Sequence, residues 1–330
     1  MDSRPTPECS IIIRSYNEQK HIGKLLAGIA QQTNKNHEVI LVDSGSTDAT
    51  LSIASGYPVR TVYISPEEFS FGRALNLGCK AARGKYLIFI SAHCWPVYNN
   101  WLECLIAPFR DPAVALTYGK QAGDTSTQYS EHRIFSSWFP DHSCFDQGHP
   151  FCNNANCAIR KDIWEVLPYN EELTGLEDLD WAKRAITMGY HIAYSAEAEI
   201  IHVHEETPER IYNRYRREAI ALKQIIPSEH FAFWDFVRLF PINVVADCYR
   251  ALTERVLLRN FKAIIQFRYM QFMGTYRGFA HRDPVPQSLK RIFYYPNGQF
   301  HSKEPFPKTG ITNRIDYSAI EVGSANEKHY

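Results

Sequence analysis

Apolar residues fall into short continuous runs early in the chain and into helically spaced stripes between and after them. Residues 9–14, 37–43, 59–64 and 85–90 read as strands. The last is so uniformly apolar that both its faces should be covered, as in the middle of a parallel sheet. Between them, residues 18–32 place Ile22, Leu25, Leu26 and Ile29 on one helical face. A short helix to Ile53 should be capped by Thr47 or Asp48, and residues 72–82 should form a helix stopped by Gly84. Strands alternating with helices predict βαβ units and an α/β fold.

Further on, residues 114–118 and 191–194 read as strands and residues 161–167 and 178–188 as helices. The polar stretch 141–156, rich in His, Asn and Cys, reads as a loop or lid. Thr207-Pro208-Glu209 supplies a cap, a first-turn proline and an acidic residue for a helix to about 226. Residues 231–279 are helical in pattern but crowd aromatics beside arginines. After them come five prolines up to Pro307. The predicted organisation is an α/β domain over 1–226, an aromatic and arginine-rich helical extension over 227–280, and a loosely ordered tail over 281–330.

Composition changes the picture only by exclusion. Lys+Arg and Asp+Glu both total 36 in 330 residues, so no net field favours nucleic acid. The N-terminus enters a strand with no signal-peptide core, and no stretch approaches the ~18 apolar residues of a spanning helix. Eight scattered cysteines without CxxC spacing read as buried thiols of a cytoplasmic protein.

Candidate chemistry gathers in two acidic motifs. Asp43-Ser-Gly-Ser-Thr-Asp48 ends the second strand, where an α/β sheet presents a nucleotide pocket. Glu177-Asp178 opens a helix and offers a carboxylate as general base. The competing reading is that this pair only complements the helix dipole, and that Asp43 is a turn residue. Together the motifs point to sugar transfer from a nucleotide donor.

The ordered segments Ser10-Ile-Ile-Ile-Arg-Ser-Tyr-Asn-Glu18, Asp43-Ser-Gly-Ser-Thr-Asp48, Phe71-Gly-Arg-Ala-Leu-Asn76, Ser91-Ala-His93, Asn153-Asn-Ala-Asn156 and Glu177-Asp178 resemble the family 2 inverting glycosyltransferases of GT-A fold, especially bacterial rhamnosyltransferase-like members. The resemblance implies that Ser15, Asn17 and Glu18 line the nucleotide-sugar pocket and that Asp43 accepts from the pyrimidine. It also places Arg73, Ser91 and His93 at the diphosphate, and makes Asp178 the catalytic base with Glu177 beside it. Asn153, Asn154 and Asn156, with Trp181, are the acceptor-facing candidates, since amides suit sugar hydroxyls. Relatives carry Asp-x-Asp where this chain has Ser91-Ala-His93. His93 with His204, or with His202, would then hold Mn²⁺ rather than Mg²⁺; the alternative is a metal-free site.

The implied reaction moves a hexose or deoxyhexose from a UDP- or dTDP-sugar to a glycan or polyprenyl-linked acceptor in surface-polysaccharide synthesis, in the cytoplasm at the inner face of the membrane. Residues 231–279 would lie on a bilayer, pack on the catalytic domain or form a homodimer. The rival reading is a catalytically silent module that binds sugar nucleotides or scaffolds other proteins.

Overall fold

The computed structural model describes residues 6–204, 206–280, 313–318 and 320. In chain order the elements are β1 (Cys9–Ser15), α1 (Ile22–Ala30), β2 (His37–Asp43), α2 (Thr50–Ala54), β3 (Val59–Tyr63), α3 (Phe71–Ala81), β4 (Tyr86–Ser91), β5 (Cys94–Pro96), α4 (Trp101–Ile106), β6 (Val114–Ala122), α5 (Tyr129–Trp138), β7 (Asn156–Arg160), α6 (Lys161–Val166), α7 (Glu177–Thr187), β8 (His191–His202), α8 (Pro208–Ile225), α9 (Phe233–Thr253) and α10 (Leu257–Phe279).

The strands form one eight-stranded mixed sheet in the order β3-β2-β1-β4-β7-β6-β8-β5. β3, β2, β1 and β4 run parallel, with Ser15 level with Asp43 and Arg14 level with Ser91. Their carboxyl ends therefore share one edge, where an α/β sheet carries its ligand cleft. Two apolar layers cover the sheet. Ile12, Ile40, Val42, Leu87 and Phe89 point to the side of α3 and α7, whereas Ile11, Ile13, Leu41, Ile88 and Ile90 point to the side of α1 and α4. The period-two alternation of a strand produces that partition.

The parallel environment expected for β4 holds on one side only, because β7 pairs with it antiparallel. β7 begins at Asn156, at the end of the stretch read as loop, and the short apolar run Cys157–Ile159 was enough to make a strand there. Thr207 caps α8 as expected, accepting from Arg210 N. Asp48 acts one residue before the nominal cap of α2, its carboxylate taking the N–H of Thr50 at 2.9 Å. All eight cysteines are free thiols, seven of them buried.

The stretch 231–279 is two helices broken where Arg255 adopts a positive φ of 61°. α10 packs on α8 so closely that a Cβ on Gly274 would overlap Tyr212 O, and one on Gly278 would overlap Arg216 O and Ala219. α9 is fastened at mid-length by a buried ion pair. Asp247 receives Arg268 Nε at 2.8 Å and Nη2 at 3.1 Å, while Ser130 Oγ on α5 donates to it at 2.7 Å. Of the segment read as a loose tail, residues 313–318 lie beside β5: Ile315 N donates to Val97 O at 3.0 Å and Tyr317 Oη to Pro96 O at 2.6 Å. Apart from Ile320, its remainder lies outside the described residues. Among the described residues no helix is long and apolar enough to cross a membrane.

Candidate active site

The β1–α1 and β2–α2 loops are laced together at the carboxyl edge. Asn17 N donates to Ser46 Oγ (2.9 Å), Thr47 N to Asn17 Oδ1 (2.8 Å), Glu18 N to Thr50 Oγ1 (2.7 Å) and Gln19 N to Asp48 Oδ2 (3.1 Å). Asn17 sits at φ 54°, a left-handed conformation its short side chain tolerates. Asp43 is 1% exposed and turned into its own turn. It accepts from Gly45 N at 3.0 Å, Ser46 N at 2.9 Å and Ser46 Oγ at 2.5 Å. The carboxylate thus fixes the turn that follows β2. Ser15 ends β1 with its hydroxyl buried and without a hydrogen-bond partner among the described residues. Arg73 stands in the first turn of α3 in an exposed ion pair with Glu68 (3.0 Å).

The acidic pair opens α7 after Leu176, whose φ of 54° is a strained conformation for a leucine. Asp178 accepts from Asn154 N at 2.9 Å and from Leu179 N at 2.8 Å. Burial, and then the neighbouring charge of Glu177, raise its carboxyl to about 7. Glu177 accepts from Arg14 Nη1 at 3.2 Å and from Asn154 Nδ2 at 3.4 Å. Arg14 also lies over Phe71, 4.8 Å from the ring centroid. Neither Arg14 nor the role of Asn154 was foreseen; the signal for Arg14 is a charge near the end of an apolar strand.

Asp178 lines a cavity of about 70 Å³ together with Asn153, His202, His204, Arg214 and Glu218. Asp43 does not line it. The two acidic motifs share an edge of the sheet, through Ser15 beside Asp43 and Arg14 against Glu177, without sharing this cavity.

Ser91-Ala-His93 and the end of β8 do converge. Ser91 closes β4 half-buried, its N–H donating to Ala155 O at 3.4 Å. One ligand atom each from His93, His202 and His204 lies within 4.8 Å of the others. Nδ1 of His93 meets Glu18 Oε1 at 2.8 Å, that of His202 meets Gln121 Oε1 at 2.7 Å, and that of His204 meets Glu131 Oε1 at 2.9 Å. These oxygens accept, so each Nδ1 carries a proton and each Nε2 faces away from that partner. His202 Nε2 is buried with no hydrogen-bond partner among the described residues. Burial holds His202 and His204 well below the ordinary histidine range, hence neutral. This donor set fits a divalent cation that accepts imidazole. Glu131, which also receives Arg214 Nη2 at 2.8 Å, was not foreseen; it sits in a helix the sequence reading left blank.

Three acceptor-facing expectations are corrected. Asn156 is fully buried, its amide donating to Lys120 O (3.0 Å) and Ala198 O (2.7 Å) and accepting from Trp101 Nε1 (2.9 Å). Trp181 is fully buried with its indole bonded to Leu167 O (2.5 Å). Asn154 is spent on Glu177, Asp178 and Tyr169. A sugar reaches none of these amides or rings. Asn153 alone of the set lines the cavity.

Residues 10–167 match the family model described as glycosyl transferase family 2. The chain is 30% identical over 222 residues to the O-antigen chain rhamnosyltransferase WbaN of Salmonella anatum, across 63% of this chain and 70% of that protein. Its fold matches the mannosyltransferase PcManGT of Pyrobaculum calidifontis, solved with GDP-Man and Mn²⁺, with a TM-score of 0.56 at 19% identity, over 83% of this chain and 86% of that one. It also matches residues 1–349 of S. aureus TarS with UDP-GlcNAc, with a TM-score of 0.52 at 17% identity, over 82% and 91% of the two chains. On this likeness in sequence and fold, the chain belongs to glycosyltransferase family 2 and is a glycosyltransferase enzyme with the GT-A fold.

Proposed function

We propose that the protein is an inverting transferase that moves a hexose or deoxyhexose from a UDP- or dTDP-sugar to a hydroxyl of a glycan or polyprenyl-linked acceptor, at the cytoplasmic face of the membrane, in bacterial surface-polysaccharide synthesis. The observation that carries it is Asp178: a buried carboxylate facing a cavity, held near neutrality by its surroundings, where a general base works best. The likeness to an O-antigen rhamnosyltransferase supports the glycan and a deoxyhexose donor.

In the proposed step an acceptor oxygen attacks the anomeric carbon on the face opposite the diphosphate. The C–O bond forms as the bond to diphosphate breaks, and the diphosphate leaves with its electron pair. Asp178 takes the hydroxyl proton. Asn154 and Leu179 aim its oxygens through their N–H groups, while Arg14 restrains Glu177. The lattice of Asn17, Glu18 and the Asp43–Asp48 turn would line the base and ribose, with Asp43 as the residue that fixes the turn. Arg73 would reach the diphosphate by leaving Glu68. Nε2 of His93, His202 and His204 would hold Mn²⁺, which when bound would offset charge on the leaving diphosphate.

A panel of nucleotide sugars should include one that raises the melting temperature, by the equivalent of ~2.7 kcal/mol at 100 times its dissociation constant. The same donor should release its nucleoside diphosphate only when a glycan acceptor and Mn²⁺ are supplied. Release that ignores the acceptor, or a product with retained anomeric configuration, would refute this reading.

A further inference from the structure

α9 carries its apolar stripe on the outside. Trp234, Val237, Pro241, Val245, Tyr249 and Leu252 recur at intervals of three or four and so fall on one helical face. Trp234 is 76% exposed, Val245 65% and Tyr249 69%. The opposite face, with Leu239, Asp247 and Ala251, is buried against the protein. Leu258 and Phe261 extend the exposed apolar surface past the turn onto α10. A contiguous apolar surface of this kind marks a contact site.

Charge selects the occupant. Residues 233–279 hold seven Lys and Arg against three Asp and Glu, in a chain whose 36 cations and 36 anions balance. Arg250 pairs with Glu254, Arg238 with Asp235 and Arg268 with Asp247. Arg255, Arg259, Lys262 and Arg277 are exposed and have no carboxylate partner among the described residues. In a twofold dimer the same patch meets itself and would bring these cations together. The chain's own segment 281–312 is also basic, with five Lys and Arg against two Asp and Glu. An anionic lipid surface complements both features: acyl chains take the stripe, and headgroups take the arginines, with Trp234 and Tyr249 at the boundary.

We propose that the outward face of α9 and the α9–α10 turn form a docking surface for anionic bilayers, lying in the plane of the interface. This does not depend on the donor or acceptor assigned above, because lipid binding is read without turnover.

The test is co-sedimentation of the full-length protein with vesicles of phosphatidylcholine alone or doped with phosphatidylglycerol. Binding is expected only to the doped vesicles, and should weaken at least tenfold as NaCl rises from ~0.05 to ~0.5 M. Val245→Glu/Tyr249→Glu, and separately Arg255→Glu/Arg259→Glu/Lys262→Glu, should each reduce binding at least tenfold with unchanged circular dichroism. Arg255, Arg259 and Lys262 are exposed, so the charge variant keeps the test valid where the apolar one unfolds. Equal binding to neutral vesicles, or none to either, overturns the proposal. So does a dimer in sedimentation equilibrium that Val245→Glu dissociates, which would assign the stripe to a second copy. Removal of residues 281–330 that creates binding absent from the full chain would assign it to that segment.

Discussion

At the end of β2, Asp43 receives three hydrogen bonds from two residues of its own turn, Gly45 and Ser46; at the start of α7, Asp178 receives two backbone N–H groups from separate segments and has a second carboxylate beside it. Both are almost fully buried. The difference lies in what burial accomplishes. Around Asp43 the donors all come from its own turn, so the side chain becomes part of a loop. Around Asp178 desolvation and the charge of Glu177 outweigh the two donors, so the proton is held up to about pH 7 and can be exchanged. Carboxylate content alone does not separate scaffold from reagent; the supply of donors does.

The sharpest way to break this comparison is Asp178→Asn. Turnover should fall ~10²–10⁴-fold, while donor affinity by calorimetry changes little. Equal loss of both would make the residue structural. The wild-type rate should rise with pH through about 7 as the base form appears. The stability sign is opposite. A carboxyl raised in the fold from the ordinary 3.8 contributes stability that is complete below 3.8 and lost as pH rises through about 7. Asp178→Asn should therefore gain on the wild type by on the order of 2 kcal/mol between pH 5 and pH 8, measured by chemical denaturation.

Next in size, Glu131→Gln, which changes the group that Nδ1 of His204 donates to, should weaken Mn²⁺ binding ~10–100-fold, and His204→Ala, which removes the imidazole itself, should weaken it further. Metal affinity by calorimetry decides this without any turnover assay. Asp43→Ala releases the turn and should cost ~1–3 kcal/mol of stability while raising the donor KM more than it lowers kcat. A kcat effect as large as that of Asp178→Asn would erase the distinction drawn above. Smallest is Arg73→Ala, whose exposed ion pair contributes only ~0–1 kcal/mol to stability. A donor KM unchanged by it would remove Arg73 from the diphosphate.

The parallel half of the fold was legible because β1, β2 and β4 are largely apolar runs and β3 is rich in β-branched residues, all divided by helically spaced segments. β5, α4 and α5 escaped because they are short or polar, and β7 because it emerges from an Asn- and Cys-rich stretch. In the site, sequence order pointed to Asp178 and to the pairing of His93 with His202 or His204, since each ends or begins an element at the same edge. It misjudged Asn154, Asn156 and Trp181. An amide or indole reads the same whether it faces a sugar or a buried carbonyl, and only the three-dimensional list of partners decides. Glu131 and Arg14 act through contacts 73 and 163 residues distant, which no local pattern encodes.

Ser130 and Glu131 are consecutive on α5, yet one bonds to Asp247 of α9 and the other to His204. One turn of α5 thus anchors two things at once: the seat of α9, through Asp247, and the orientation of an imidazole in the histidine cluster, through His204.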